Sequence, residues 1–182
     1  MLLQASNRDL EYDPSDREGD KNWNSTHSWT LKGDKTTFTI NTSDPIHANN
    51  PHYAVLNVER PGAALENTGF DGIALNVGEK YDFSIFARVT QGQSNKLQVR
   101  LVDGEGNICG ETSLTVSSRQ WKTYKTVITA KATADTRLEI ISRFNSPADW
   151  GMISRRVSSV ALAVITVLYV FHIRESSEGA IK

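Results

Sequence analysis

With 182 residues, 38% of them hydrophobic and 23% charged, the chain is long enough for one domain plus a further segment and too polar to be wholly membrane-embedded. A formal net charge of −1 supplies no global field to recruit nucleic acid or anionic lipid, so neither is an expected partner. The single cysteine, Cys109, excludes an intramolecular disulfide and a multi-cysteine zinc site. On an apparent strand, with no histidine near it in sequence, it reads as a packing residue.

The start, MLLQASNRDLEYDPSD, lacks a basic region followed by a long apolar one and does not read as a signal peptide. That leaves either a cytoplasmic protein or a missing amino terminus, so the compartment is not legible. Residues 1–20 form a polar lead-in, with a short apolar island at 10–12 that fits a first strand and a charged loop over 13–21. Trp29, Thr30 and Leu31 open a strand, and TTFTINT at 36–42 is another by its β-branched content. The segment LKGDKTTF (31–38) between them predicts a hairpin.

Over 53–59, Ala54, Leu56 and Val58 share one face, and Tyr53, Val55, Asn57 and Glu59 the other. Short strand pieces at 63–65 and 72–75 flank a turn. In the clearest strand, 80–89, Tyr81, Phe83, Ile85 and Ala87 oppose Asp82, Ser84, Phe86 and Arg88. Over 96–102, Leu97, Val99 and Leu101 oppose Gln98, Arg100 and Val102. After a tight turn at 103–107 come strands at 108–116, 121–129 and 137–142; in the second, Trp121, Thr123, Lys125 and Val127 oppose Lys122, Tyr124, Thr126 and Ile128. About seven to nine short strands, with turns every ~8–12 residues, predict an all-β antiparallel sandwich over 21–142.

Residues 143–182 form a divergent tail. Within it, 157–173 carries no acidic or basic residue beyond His172 and is flanked by Arg155, Arg156 and Arg174. As a helix it would span about 25 Å, short of a ~30 Å hydrocarbon core, while its Val, Ile, Thr and Tyr content equally suits a buried strand. A closing strand at 160–168, a membrane helix and an aberrant tail all stay open; with a strand there, no membrane partner is expected.

NPHY (50–53), GFDGIAL (69–75) and GEKYDFSIFARV (78–89) resemble the carbohydrate-binding-type sandwich near the front of α-L-arabinofuranosidases of glycoside hydrolase family 51. The likeness runs over roughly residues 6–141, and SNRDLEY (6–12) looks like the handover from the catalytic domain. It implies a galactose-binding-like jelly roll present as a fragment of a larger protein, whose parent is bacterial and periplasmic or extracellular. The parent would be a retaining glycosidase, with two carboxylates about 5–5.5 Å apart, acting on arabinan or arabinoxylan. The family carries those glutamates on a catalytic barrel, so no activity is expected of this chain alone. Its own acidic residues fall mostly in turns or singly on strands, where a solvated surface role fits them. Such sandwiches commonly hold a structural calcium ion, whose ligands the sequence does not place; no other cofactor is expected.

What remains is a binding surface. If Tyr81, Phe83 and Ile85 face the core, Phe86 and Arg88 face outward, and so do Gln98 and Arg100. A register placing Arg88 opposite Gln98 would set aromatic, amide and guanidinium groups side by side, with Asn57 and Glu59 joining from a neighbouring strand. Flat rings and planar polar groups of this kind suit sugars. Tyr53 is a further candidate, and Trp23, in a polar loop, is the candidate for an exposed platform, while Trp29 and Trp121 read as core or rim packing. The ligand would be arabinose-containing polysaccharide; alternatively, this face docks on the parent catalytic domain. His27, His47, His52 and His172 show no metal-ligand spacing, and His52 reads as a loop histidine bonded to backbone.

Overall fold

The computed structural model describes residues 2–4, 10–34, 36–58, 62–69, 72–143, 158–163 and 167–170. The alternation seen in sequence becomes strand burial directly: Lys80–Gln91 (β7) buries every second residue from Tyr81 to Val89. Its core-facing side chains meet those of Asn95–Asp103 (β8) and Ala134–Arg143 (β11). Tyr81, Phe83, Ile85, Leu97, Val99, Leu101, Leu138 and Ile140 are all 0% exposed. Burying such side chains contributes about 1.5–3 kcal/mol each, which makes this inter-sheet layer the main source of stability.

The strands fall into two sheets. The six-stranded sheet contains Trp29–Lys32 (β2), Ala64–Asn67 (β5), Ile73–Leu75 (β6), β8, Ile108–Val116 (β9) and β11, in the order β2-β5-β11-β8-β9, with β6 also on β11. The seven-stranded sheet contains Leu2–Gln4 (β1), Thr36–Asn41 (β3), Tyr53–Val58 (β4), β7, Lys122–Thr129 (β10), Ser158–Ala163 (β12) and Val167–Val170 (β13). There β7 pairs with β12 and β13 along one edge and with β10 along the other, and β12 also pairs with β4. Every pairing among the described residues is antiparallel. The result is the all-β antiparallel sandwich expected from the sequence.

Three local expectations are corrected. Residues 31–38 form no hairpin, because β2 pairs with β5 in one sheet and β3 with β4 in the other. The connection is a crossover between sheets, and Gly33, at φ 104°, lies so close to the start of β5 that a Cβ there would meet the Ala63 Cα at 2.9 Å. The first strand is Leu2–Gln4 rather than 10–12; Leu10, 1% exposed, instead plugs the core from a loop. Consecutive strands β7 and β8 belong to different sheets, so Arg88 does not stand opposite Gln98. Their chain reversal at 92–94 carries the backbone across the sandwich.

The apolar tail segment contributes β12 and β13, strands laid against the central β7. Among the described residues no helix is long and apolar enough to cross a membrane. A 3-10 turn at Pro14–Asp16 is capped by Asp13, whose carboxylate accepts from the Ser15 backbone N–H at 2.8 Å and from the Ser15 hydroxyl. Those two bonds hold its pKa below the usual carboxylate range.

Candidate functional site

On the outer face of the seven-stranded sheet, β4 presents Tyr53, Val55 and Asn57, and β7 presents Phe86 and Arg88. Trp121, just ahead of β10, joins them because Thr123 registers opposite Phe86 and Trp121 shares its parity. The Tyr53 and Trp121 rings meet edge to face at 5.1 Å. The Arg88 guanidinium lies over both, 4.8 Å from the Trp121 ring centre and 5.6 Å from that of Tyr53. Phe86, Val55 and Ile46 complete the cluster. Such aromatic and cation–π contacts contribute about 0.5–1.5 kcal/mol apiece.

A loop is pinned onto this cluster. Arg88 pairs with the Asp44 carboxylate and donates to the Asp44 carbonyl at 3.2 Å. The Trp121 indole N–H donates to the same carbonyl at 3.0 Å, and the Tyr53 hydroxyl donates to the Ser43 carbonyl. Arg88 is thereby nearly sealed, its side chain 13% exposed, whereas the Asp44 side chain is 76% exposed. Tyr53 is buried, while Trp121 and Phe86 stay half-buried with surface to offer. Asn57 lies on the same face, about 13 Å along β4 from Tyr53, and donates to the Thr37 hydroxyl at 3.2 Å. Glu59 lies outside the described residues.

Gln98 and Arg100 sit on the opposite outer face, that of the six-stranded sheet. There they belong to a ladder of charges: Arg100 donates to Gln98 at 3.2 Å, and Gln98 to Glu111 at 2.9 Å. Lys131 donates to Glu111 at 3.2 Å, and that bond, followed by the Gln98 bond, holds the Glu111 pKa below the ordinary range. Further across, Glu66 takes Lys32 at 2.6 Å and Arg137 at 2.5 Å. With its side chain 8% exposed, Glu66 is a buried ion-pair centre, against the expectation of a solvated carboxylate. These groups are engaged with one another rather than turned outward as a set of ligand donors.

Trp23 is not an open platform. Tyr12 stacks on it at 4.1 Å, the Arg17 guanidinium lies 4.1 Å from its ring and the His27 ring 5.0 Å, so three groups already engage its aromatic surface. His52 bonds to a carboxylate, not to backbone carbonyl: its Nδ1 lies 2.5 Å from Glu11, whose other oxygen accepts from the His52 backbone N–H at 2.8 Å. This pair fastens the lead-in to the start of β4. Among the described residues no group of three or more His, Cys, Asp or Glu side chains is placed to hold a metal ion.

The sequence missed Trp121 and Asp44 as members of the site. Outward parity in 121–129 was a usable signal for the first. None was available for the second, which lies 44 residues from the arginine that holds it.

An extracellular exo-α-L-arabinofuranosidase of Streptomyces chartreusis is 29% identical over 132 residues, 72% of this chain, and the chain spans 15% of that curated relative's length. Among solved structures, an arabinose-bound GH51 α-L-arabinofuranosidase superposes with a TM-score of 0.70 at 16% identity, covering 93% of this chain and 26% of that one. The CBM22-1 xylan-binding domain of Paenibacillus barcinonensis Xyn10C gives 0.52 at 11% identity, covering 80% of this chain and 86% of that one. These structural likenesses establish the carbohydrate-binding-module type of β-sandwich. A family model described as a carbohydrate binding domain matches residues 4–148, and the chain belongs to that family.

Proposed function

We propose that this chain is a non-catalytic module of an exported α-L-arabinofuranosidase. In this reading it holds arabinose-containing plant polysaccharide, arabinan or arabinoxylan, on the outer face of the seven-stranded sheet. The arrangement of Trp121, Arg88 and Asp44 carries the reading. Arg88 lies against the Trp121 ring and fixes its orientation, so a sugar ring stacks on the aromatic surface left open by Trp121 and Phe86. The exposed Asp44 carboxylate, held in place by Arg88, accepts sugar hydroxyls, and Asn57 extends the same face along β4. Arg88 acts as a positioning residue, since its bonds go to Asp44 and Tyr53. A few such contacts give millimolar to micromolar binding, about −4 to −8 kcal/mol.

Affinity gel electrophoresis of the full chain through gels containing arabinan or arabinoxylan tests this. Retardation by either polymer, absent in a plain gel, is expected. A folded chain that migrates unretarded on both would overturn the reading and leave bracing of the parent's catalytic barrel as the better account.

A further inference from the structure

A cavity of about 590 Å³ lies against the loop ahead of β2, within the range of about 300–1,000 Å³ typical of small-ligand sites. It is lined by the loop ahead of β2 and by the β5–β6 turn, including Arg17, Asn22, Trp23, Asn24, His27 and Thr68. Tyr12, Arg17 and His27 already pack on Trp23, so the cavity does not offer an open ring for a sugar to stack on. What the cavity offers instead is a fixed set of polar groups.

Their sign is one-sided. Among the described residues no aspartate or glutamate lines the cavity, and none of them pairs with Arg17. One carboxylate oxygen of the nearby Asp20 accepts from the Asn22 backbone N–H at 3.0 Å. The Arg17 guanidinium, 4.1 Å from the Trp23 ring centre, is a bidentate donor suited to a carboxylate. His27 Nδ1 lies 2.8 Å from the Asn22 carbonyl; a carbonyl only accepts, so that nitrogen carries the proton and the ring is locked in place. The tertiary frame is firm too, since Glu11, next to Tyr12, grips His52.

We infer that this cavity binds a uronic-acid residue of a polysaccharide, with Arg17 taking the carboxylate and the Asn22 and Thr68 side chains facing the hydroxyls. The inference rests on the proposed function only in taking a glycan as ligand, and none of the cavity's lining residues belongs to the Trp121 cluster.

The test is a titration of the full chain, observed through the tryptophan indole N–H resonances assigned by Trp→Phe substitution. The probes are D-galacturonic acid, D-glucuronic acid, the neutral sugars galactose and glucose, and acetate. The expected result is a saturable shift of the Trp23 resonance with at least one uronic acid, about tenfold or more weaker with the neutral sugars and with acetate. Arg17→Gln should abolish the difference between uronic acid and neutral sugar while leaving Trp121 unmoved. Equal response to acetate would mean a bare carboxylate site, and a response kept in Arg17→Gln would mean a different contact. Either outcome overturns the assignment, as does no response at all. Because arabinoxylan fragments are read at Trp121, silence at Trp23 alone would leave the proposed function standing.

Discussion

The two outer faces of this sandwich arise from the same strand alternation and differ in what they do with it. On the seven-stranded sheet the outward residues are aromatic rings around one sealed guanidinium, and a loop is pinned over them with an exposed carboxylate at its tip. On the six-stranded sheet the outward residues are charges and amides of both signs, bonded strand to strand from Lys32 and Glu66 across to Glu111 and Lys131. A ligand on the first face meets groups already positioned and partly open. On the second it must first displace partners, which leaves buried charges uncompensated. Outward polarity alone therefore does not mark a binding surface; the state of its hydrogen bonds does.

That contrast can be broken in order of expected effect. Glu66→Ala should be the largest: it strips the partner from half-buried Arg137 and should lower unfolding free energy by on the order of 3 kcal/mol in urea denaturation. Retardation by polysaccharide should be unchanged, and an equal loss of binding would erase the distinction between the faces. Lys32→Ala, removing the more exposed end of the same pair (51% exposed side chain), should stay below about 1 kcal/mol.

Trp121→Ala should have the reverse signature, weakening binding by about 2 kcal/mol, roughly thirtyfold, as for a central aromatic anchor. Gly33→Ala probes the crossover joining the two sheets. A left-handed φ and a backbone contact at 2.9 Å should cost more than about 1 kcal/mol of stability, visible as a lower melting temperature with no specific effect on either face.

The smallest effect concerns acid. Hydrogen bonds, from the Asn107 side chain to Asp103 and from Lys131 to Glu111 first of all, lower both pKa values. A depressed folded-state pKa contributes stability that is present above the unfolded value, about 4, and is lost as pH falls through the folded value. Asp103→Asn and Glu111→Gln should each lower the urea midpoint slightly at pH 7 and flatten its decline below about pH 4.

Strand parity was legible in the sequence because burial imposes period two. The faces of β4, β7, β8 and β10 follow from their residues alone, and Cys109 is buried on β9 as its surroundings suggest. Sheet membership was not legible. A Gly-containing reversal looks the same whether the chain pairs back on itself or crosses the sandwich, so the 31–38 turn read as a hairpin and Arg88 and Gln98 as neighbours. The long-range partners were hidden for the same reason: nothing local to Asp44 signals Arg88, and nothing local to Glu66 signals Arg137. Trp23 looked exposed because its loop is polar, yet Tyr12 and Arg17 reach over it from the lead-in.

Because Arg88 and Arg100 occupy opposite faces, separating them decides where the glycan binds. The most direct measurement compares retardation on arabinoxylan of the full-length Arg88→Gln, Trp121→Ala double variant with that of a Gln98→Ala, Arg100→Gln double variant, each checked for folding by circular dichroism. Retardation lost in the first and kept in the second is the result expected of a site on the seven-stranded sheet. Retardation kept in the first and lost in the second would place the site on the six-stranded sheet and contradict this account.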